Sequence, residues 1–347
     1  MSVSLVTSDF LNAPGLILDV RSPAEYGQGH IPGAISFPLF DNDERAQVGT
    51  CYKQQGQEAA IDLGLAIVGP KLATFVRQAK QLTPDRQLRI HCWRGGMRSG
   101  SMAWLLETAG FQVSLLERGY KGFRQWVRTT LAMPHQIWTL GGMTGTGKTE
   151  ILYALAAQGE QILDLEALAN HRGSSYGALG LPAQPSTEQF ENLLAIAWAK
   201  LDSTRPVWIE AEGRMIGTCR IPNELFQQMV LAPIVQIERS RSERIAFLLE
   251  GYGKADRIQL IVATERLKKR LGGERTQQAV AAIHQGDLAT AIAIVLDYYD
   301  KTYLYDLQRR RVPIHAVNVG GLTAGDSAKK LLEQTSRLSV ESSCFIR

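Results

Sequence analysis

The sequence has only four cysteines, Cys51, Cys92, Cys219 and Cys344, and no CxxC pair among them. A disulfide framework or a structural zinc site is therefore not expected. No run approaches the ~18 apolar residues of a membrane span. The first ten residues, MSVSLVTSDF, lack a basic segment followed by an apolar core, so no secretory leader is expected either. An excess of one charge is also missing: Lys+Arg 38 against Asp+Glu 34 leaves +4, which permits a nucleic-acid partner without requiring one. Internal repeats and low-complexity segments are absent. The apolar fraction of 45% and charged fraction of 21% exclude a disordered or collagen-like chain. The expectation is a cytoplasmic monomer with reduced thiols and no membrane partner.

What is present is α/β alternation. A length of 347 residues predicts about two domains. In the first third, apolar strands at 15–20, 87–92 and 112–119 alternate with helical patterns at 71–82, 99–110 and 121–133. Short apolar strands between helices predict a parallel sheet covered on both faces. Pro134 ends this pattern, placing a boundary near 133 and domains at 1–133 and 134–347. The second unit repeats the alternation, with strands at 135–140, 161–166, 205–212 and 232–238. It becomes mostly helical beyond about 240, has a late strand at 312–319 and ends in a tail that reads as frayed.

The strand at 87–92 runs into His91-Cys92-Trp93-Arg94-Gly95-Gly96-Met97-Arg98-Ser99 and then a helix. A cysteine at that junction meets converging backbone N–H groups and a helix dipole, which favour a thiolate or a bound anion. Arg94 and Arg98 add positive charge, and the glycines let the loop curl. The residues Asp19-Val20-Arg21-Ser22-Pro23-Ala24-Glu25-Tyr26 and Gly29-His30-Ile31-Pro32-Gly33-Ala34 resemble the N-terminal signature of rhodanese-fold proteins. Gly119-Tyr120-Lys121-Gly122-Phe123 with Trp126 is similar to their C-terminal signature. The resemblance puts Cys92 at the sulfur-carrying position and leaves Asp19, Arg21, Glu25 and His30 as scaffold. Arg98 is six residues after Cys92, where many single-domain rhodaneses have five. The string thus also fits the cysteine-phosphatase pattern H-C-x5-R-[ST], with a loop wide enough for a phosphorus-bearing donor.

The strand at 135–140 leads into a second motif. Residues 142–149 match G-x-x-x-x-G-K-[ST] and a helix follows. Gly142, Gly145 and Gly147, with Thr144 and Thr146, let backbone amides cradle phosphates. Lys148 neutralises charge, and the Thr149 hydroxyl can bind Mg2+. Glu210 or Glu212, at the end of the strand 207–209, can orient that ion or its waters; a solvated strand end is the alternative.

Cations and aromatics are interleaved in Arg172 with Tyr176, in Lys268, Lys269, Arg270 and Arg275, and in four tyrosines ahead of Arg309-Arg310-Arg311. Such stretches suit a folded RNA, with phosphates on cations and an unstacked base on a ring, although any single one reads equally as a solvated helix face.

The two halves together resemble the bacterial tRNA 2-selenouridine synthase family. The resemblance rests on Asp43-Glu44-Arg45, Val48-Gly49-Thr50-Cys51-Tyr52-Lys53-Gln54, the Cys92 loop, the 141–149 loop, Asp164-Leu165-Glu166, His171-Arg172-Gly173-Ser174, Phe190-Glu191-Asn192 and Arg214-Met215-Ile216-Gly217. This chain has Ala211 where the family often has a further acid. The resemblance implies a rhodanese-like domain followed by a P-loop NTPase-like domain, acting on wobble 2-thiouridine in tRNA. A geranyl group from geranyl diphosphate is attached to the sulfur. The geranylthio group is then replaced by selenium from selenophosphate through a selanylated Cys92, with Arg94 and Arg98 on the phosphate. The other readings are a rhodanese-fold phosphatase, a P-loop NTPase carrying a sulfurtransferase module, and a non-catalytic RNA-binding scaffold.

Overall fold

A computed structural model describes residues 2–253 and 255–344, with side chains to 338. The chain divides into two compact units, residues 1–130 with 191–196, and residues 131–190 with 197–347.

The first unit is built on five parallel strands: β1 Val3–Leu5, β2 Leu16–Asp19, β3 Ile35–Ser36, β4 Gln87–His91 and β5 Gln112–Leu116, in the order β1-β5-β4-β2-β3. Leu18, Leu88, Ile90 and Val113 of the strands pack against Phe75 and Ala79 of helix Leu72–Leu82 and Met102, Ala103 and Leu106 of helix Met97–Thr108. These are the elements their apolar spacing predicts. Two short strands, β1 and β3, were not expected.

Also unforeseen is a pair of helices at Asn42–Gln55 and Gln57–Val68, joined at Gly56. An Asp41/Glu44 capping box starts the first. The second continues through the turn Gly69–Lys71 into Leu72–Leu82. By length and composition the helical run Gln57–Leu82 could cross a membrane, with mean hydropathy 1.6 over an 18-residue window, although Asp62 and Lys71 keep it from being the continuous apolar run sought in the sequence. In this fold its Ala60, Val68, Phe75 and Ala79 are buried.

Residues 191–196 belong with this unit because of polar contacts. The Asn192 side-chain amide donates to the His30 carbonyl at 2.9 Å and to the Tyr120 hydroxyl at 2.8 Å. The Arg124 guanidinium pairs with Glu191 and also donates to Asn192. No sequence signal marks this interruption of the 134–347 stretch.

The second unit holds β6 Ile137–Gly142, β7 Gln161–Leu163, β8 Val207–Glu210, β11 Ile234–Glu238 and β12 Ile314–Asn318, all parallel, in the order β12-β11-β6-β8-β7. An unexpected two-stranded antiparallel hairpin, β9 Met215–Ile216 and β10 Cys219–Arg220, lies apart from it. Every residue of β6 and β8 is buried. The order reverses at β6, the switch point where open α/β sheets bind ligands beyond the strand ends. Between 241 and 308 the described residues are mostly helical, as expected, in Arg241–Tyr252, Arg257–Glu265, Lys268–Leu271, Gly273–Gln285 and Leu288–Gln308, before β12 returns to the sheet. The tail does not fray where expected: helix Ala324–Cys344 runs on, packing Ala328 and Leu331 against Ile151, Leu152 and Leu155, and residues 345–347 lie outside the described residues.

Candidate active sites

Cys92 directly follows β4 and is 3% exposed, lining a cleft of about 600 Å3 within the first unit. The loop that follows is tied down from below. Tyr120 N–H donates to the Cys92 carbonyl at 2.8 Å and Lys121 N–H to the Trp93 carbonyl at 2.9 Å. Gly119, at φ +56°, is required there, because a Cβ would collide with that Cys92 carbonyl. Burial pushes the Cys92 thiol up, but hydrogen bonds from the Ser99 hydroxyl and from the backbone N–H groups of Ser99, Arg94 and Gly96 outweigh it, and the thiol sits below its ordinary value. The Ser99 hydroxyl is 3.3 Å from the sulfur.

The converging amides expected from the strand–helix junction are thus present. The arginine charges expected to lower the thiol are not the main cause. Arg94 is exposed on the cleft, and Arg98 is committed to Glu25, Nη1 to Oε2 at 2.8 Å. Burial raises the Glu25 carboxyl, and the Arg98 guanidinium, with the Ser22 backbone N–H and the Arg45 charge, more than offsets that and holds it below its ordinary value. Glu25, read as scaffold, therefore belongs to the site and fixes Arg98. Asp19 and Arg21 do act as scaffold: they form a fully buried pair at 2.6 Å, with the Arg21 guanidinium 3.7 Å over the Tyr120 ring. His91 is buried beside Asp19, and burial pulls its ring down to about 4, so it is neutral at pH 7.

Ser99→Ala tests the origin of the low thiol value. Losing a hydrogen bond of about 1 kcal/mol to the thiolate moves the alkylation midpoint to higher pH and slows iodoacetamide labelling of Cys92 about fivefold at neutral pH. Measuring labelling rate against pH checks this; an unmoved profile assigns the effect to the amides alone.

In the second unit, β6 delivers the 142–149 loop to the helix Lys148–Ala157. Gly145, at φ +83°, lies where a Cβ would come within 2.8 Å of the Arg244 carbonyl. Arg244 clamps the loop, donating to the Thr144 carbonyl at 3.1 Å while pairing with Asp300 at 2.6 Å. Lys148 Nζ reaches the Gly142 carbonyl at 3.2 Å, and the Thr146 hydroxyl donates to the Met143 carbonyl at 2.8 Å.

Beside this loop is an acid cluster. Carboxylate oxygens of Glu166, Glu210 and Glu212 lie within 4.8 Å of one another. Burial and then the Glu210 and Glu212 charges raise Glu166 to about 9, and burial and then Glu210 raise Glu212 to about 7. Glu210 is also raised, by burial first, while Lys148 and a hydrogen bond with Thr149 oppose the rise. Its Oε1 is buried without a hydrogen-bond partner. Three crowded hard oxygen donors with an orphaned atom fit a divalent cation. The sequence pointed to Thr149, Glu210 and Glu212 but missed Glu166. The 170–177 loop folds close by, with Gly173 (φ +62°) so near that a Cβ would sit 2.8 Å from Glu212 and 2.9 Å from Glu166.

Of the residues expected to meet RNA, Arg172, Lys268, Lys269, Arg270 and Arg275 are exposed. Tyr176 is placed differently from a base platform. Its hydroxyl bonds Thr264 at 2.8 Å and its ring packs on Tyr252 and the cluster around Leu260 and Ile283, because an apolar ring next to buried helices gains more from the interior.

Comparison with known proteins matches both units. The rhodanese-like domain profile matches residues 7–125, and the profile described as the tRNA 2-selenouridine synthase AAA domain matches residues 135–320. The tRNA 2-selenouridine synthase of Verminephrobacter eiseniae is 40% identical, covering 85% of this chain and 89% of its own. Those of Aeromonas salmonicida (37%; 90% and 93%) and Marinobacter nauticus (34%; 88% and 92%) are similar over a comparable span. Among solved structures, the N-terminal domain of a Clostridium difficile 630 protein is 43% identical over 36% of this chain and 98% of its own, at a TM-score of 0.35 that carries no fold argument. With a rhodanese-like unit bearing Cys92, a P-loop unit bearing Lys148, and relatives aligned along both, this chain belongs to the tRNA 2-selenouridine synthase family.

Proposed function

We propose that this protein converts wobble 2-thiouridine of tRNA to 2-selenouridine in two steps. The sulfur is first geranylated from geranyl diphosphate; the Cys92 thiolate then displaces the geranylthio group from C2, selenium from selenophosphate displaces Cys92, and water releases the phosphoryl group from selenium as phosphate. The observation that carries the proposal is the presence in one chain of an amide-cradled, low-pKa thiol and an acid-backed P-loop. The two steps need different chemistry, and the two sites differ accordingly.

In the first step the thiouridine sulfur attacks the geranyl carbon and diphosphate leaves with the bonding pair. The glycine-rich loop, with Lys148, is suited to stabilise that leaving group. Thr149 and Glu210, joined by Glu166 and Glu212, are the residues that would hold Mg2+, which when bound supplies positive charge to the diphosphate. In the second step a soft nucleophile is needed at the base, and Cys92 ionises readily in its cradle. Arg94 faces the same cleft and is placed to attract the phosphate of selenophosphate; Arg98 shares its charge with Glu25. The target base lies in a single-stranded anticodon loop, so it is turned out at modest cost. The exposed Arg172, Lys268, Lys269, Arg270 and Arg275 supply cations for tRNA phosphates. The protein is proposed to act as a monomer.

Nucleoside mass spectrometry on thiolated tRNA tests the proposal, with the two donors supplied singly and together. A geranylated nucleoside is expected with geranyl diphosphate alone, and selenouridine only with both. Unchanged nucleosides from folded, tRNA-binding protein would favour the phosphatase or scaffold reading.

A further inference from the structure

The cleft at Cys92 is larger and more apolar than selenophosphate requires. Its walls are the unforeseen helices Asn42–Gln55 and Gln57–Val68 and the Cys92 loop, contributing Val48, Tyr52, Ile61, Leu65, Trp93 and Met97. Large apolar side chains stand open to solvent here: Leu65 is 66% exposed, Met97 57% and Tyr52 55%. Only 17% of the apolar window in the run Gln57–Leu82 is buried. A concentration of exposed apolar surface around a nucleophile marks a ligand with an apolar part.

We propose that this cleft holds the geranyl chain of the S-geranylated base during selenium transfer, and so selects geranylated over unmodified 2-thiouridine. The inference rests on the two-step reading above. In the transfer, the Cys92 thiolate attacks C2 and geranylthiolate leaves with the bonding pair of the C2–S bond; the selenium of selenophosphate then displaces Cys92 from C2, and water takes the phosphoryl group from selenium as phosphate. The chain is attached to the departing sulfur, so it must lie beside the Cys92 thiolate whenever the base is in position to react. Volume decides where ten carbons fit. A cavity of about 150 Å3 holds the six carbons of benzene, so ten need about 250 Å3. The Cys92 cleft offers about 600 Å3. The apolar cavity of the second unit, beside Thr144 and Tyr176, offers about 50 Å3. Lys53 and Arg94 also line the Cys92 cleft, placing cations near the nucleotide's phosphates while the aliphatic walls take the chain.

The test uses the full-length protein and tRNAs carrying S-methyl, S-prenyl (five-carbon) or S-geranyl 2-thiouridine, with selenophosphate. Each buried methylene adds about fourfold in affinity, so kcat/KM for selenouridine formation is expected to rise with chain length, with geranyl at least ~30-fold above methyl. Leu65→Glu puts a charge on an exposed wall and is expected to cut that ratio at least tenfold. Leu231→Glu, 77% exposed in the other unit, is expected to leave it unchanged. Equal use of methyl and geranyl substrates, or an unaltered ratio in folded Leu65→Glu, overturns the inference while leaving two-step synthesis intact. No selenouridine from any S-alkylated tRNA overturns the two-step reading itself. Should Leu65→Glu fail to fold, the wild-type protein decides: free geranylthiol is expected to inhibit selenation competitively with geranylated tRNA, and absence of inhibition overturns the inference.

Discussion

Cys92→Ser is expected to abolish selenouridine formation, by on the order of 10^3-fold or more, while geranylation of thiolated tRNA stays within about twofold of wild type. The loss is large because only the thiolate is soft and ionised enough to attack C2 and displace geranylthiolate; a serine hydroxyl in the same place remains protonated. The fold should survive, since the change is nearly isosteric and the loop is held by backbone bonds from Tyr120 and Lys121 rather than by the sulfur. The Ser99 hydroxyl and the three amides that face the sulfur can donate to the serine oxygen as well. Geranylated tRNA should therefore accumulate when both donors are present. The measurement is nucleoside mass spectrometry, with tRNA binding and thermal unfolding as folding controls. Loss of geranylation along with selenation in a folded variant would show that the division between the Cys92 site and the P-loop is wrong.

The parts of these sites that could be read from the sequence are contiguous. The Cys92 loop and the 142–149 loop each lie between an apolar strand and a helix, so residue type and position declare themselves together. Side chains brought in from elsewhere do not. Glu25 precedes Arg98 by 73 residues and looks like part of a helix cap, which it also is. Glu166 sits after a different strand from Glu210 and Glu212, and only the parallel pairing of β7 with β8 brings the three together. The helix Asn42–Gln55 escaped because it has no fully buried residue, and so no apolar period to detect. Its partner is apolar without a clear polar face, since one side meets the core and the other the cleft. Charge is also a weaker guide here than short-range geometry. Two nearby arginines suggested the cause of a low thiol value, whereas short-range hydrogen bonds dominate and one arginine is spent on a carboxylate. Tyr176 shows the same limit in reverse: a tyrosine beside an arginine suggests a base platform, and only tertiary packing shows the ring facing inward.

Lys148→Ala is expected to cut kcat/KM for geranyl diphosphate by about 10^2- to 10^3-fold, the usual cost of removing a charge that stabilises a leaving group in a sheltered site. Selenation of tRNA that is already geranylated should be retained. The structure makes the lysine more than a phosphate ligand. Its charge opposes the raised values of Glu166, Glu210 and Glu212. Without it, those carboxyls shift further upward and hold protons more readily, which weakens a divalent cation as well as the diphosphate. The deficit should therefore deepen as pH falls and ease when Mg2+ is raised, a pattern that simple loss of a phosphate contact would not produce. Lys148→Arg keeps the charge but is too broad and planar for the space near the Gly142 carbonyl, and is expected to fall between wild type and alanine. Steady-state geranylation at limiting geranyl diphosphate, run across pH and Mg2+ concentration, separates these effects. Unchanged geranyl transfer in Lys148→Ala would remove the P-loop from the first step and force a search for the diphosphate site elsewhere.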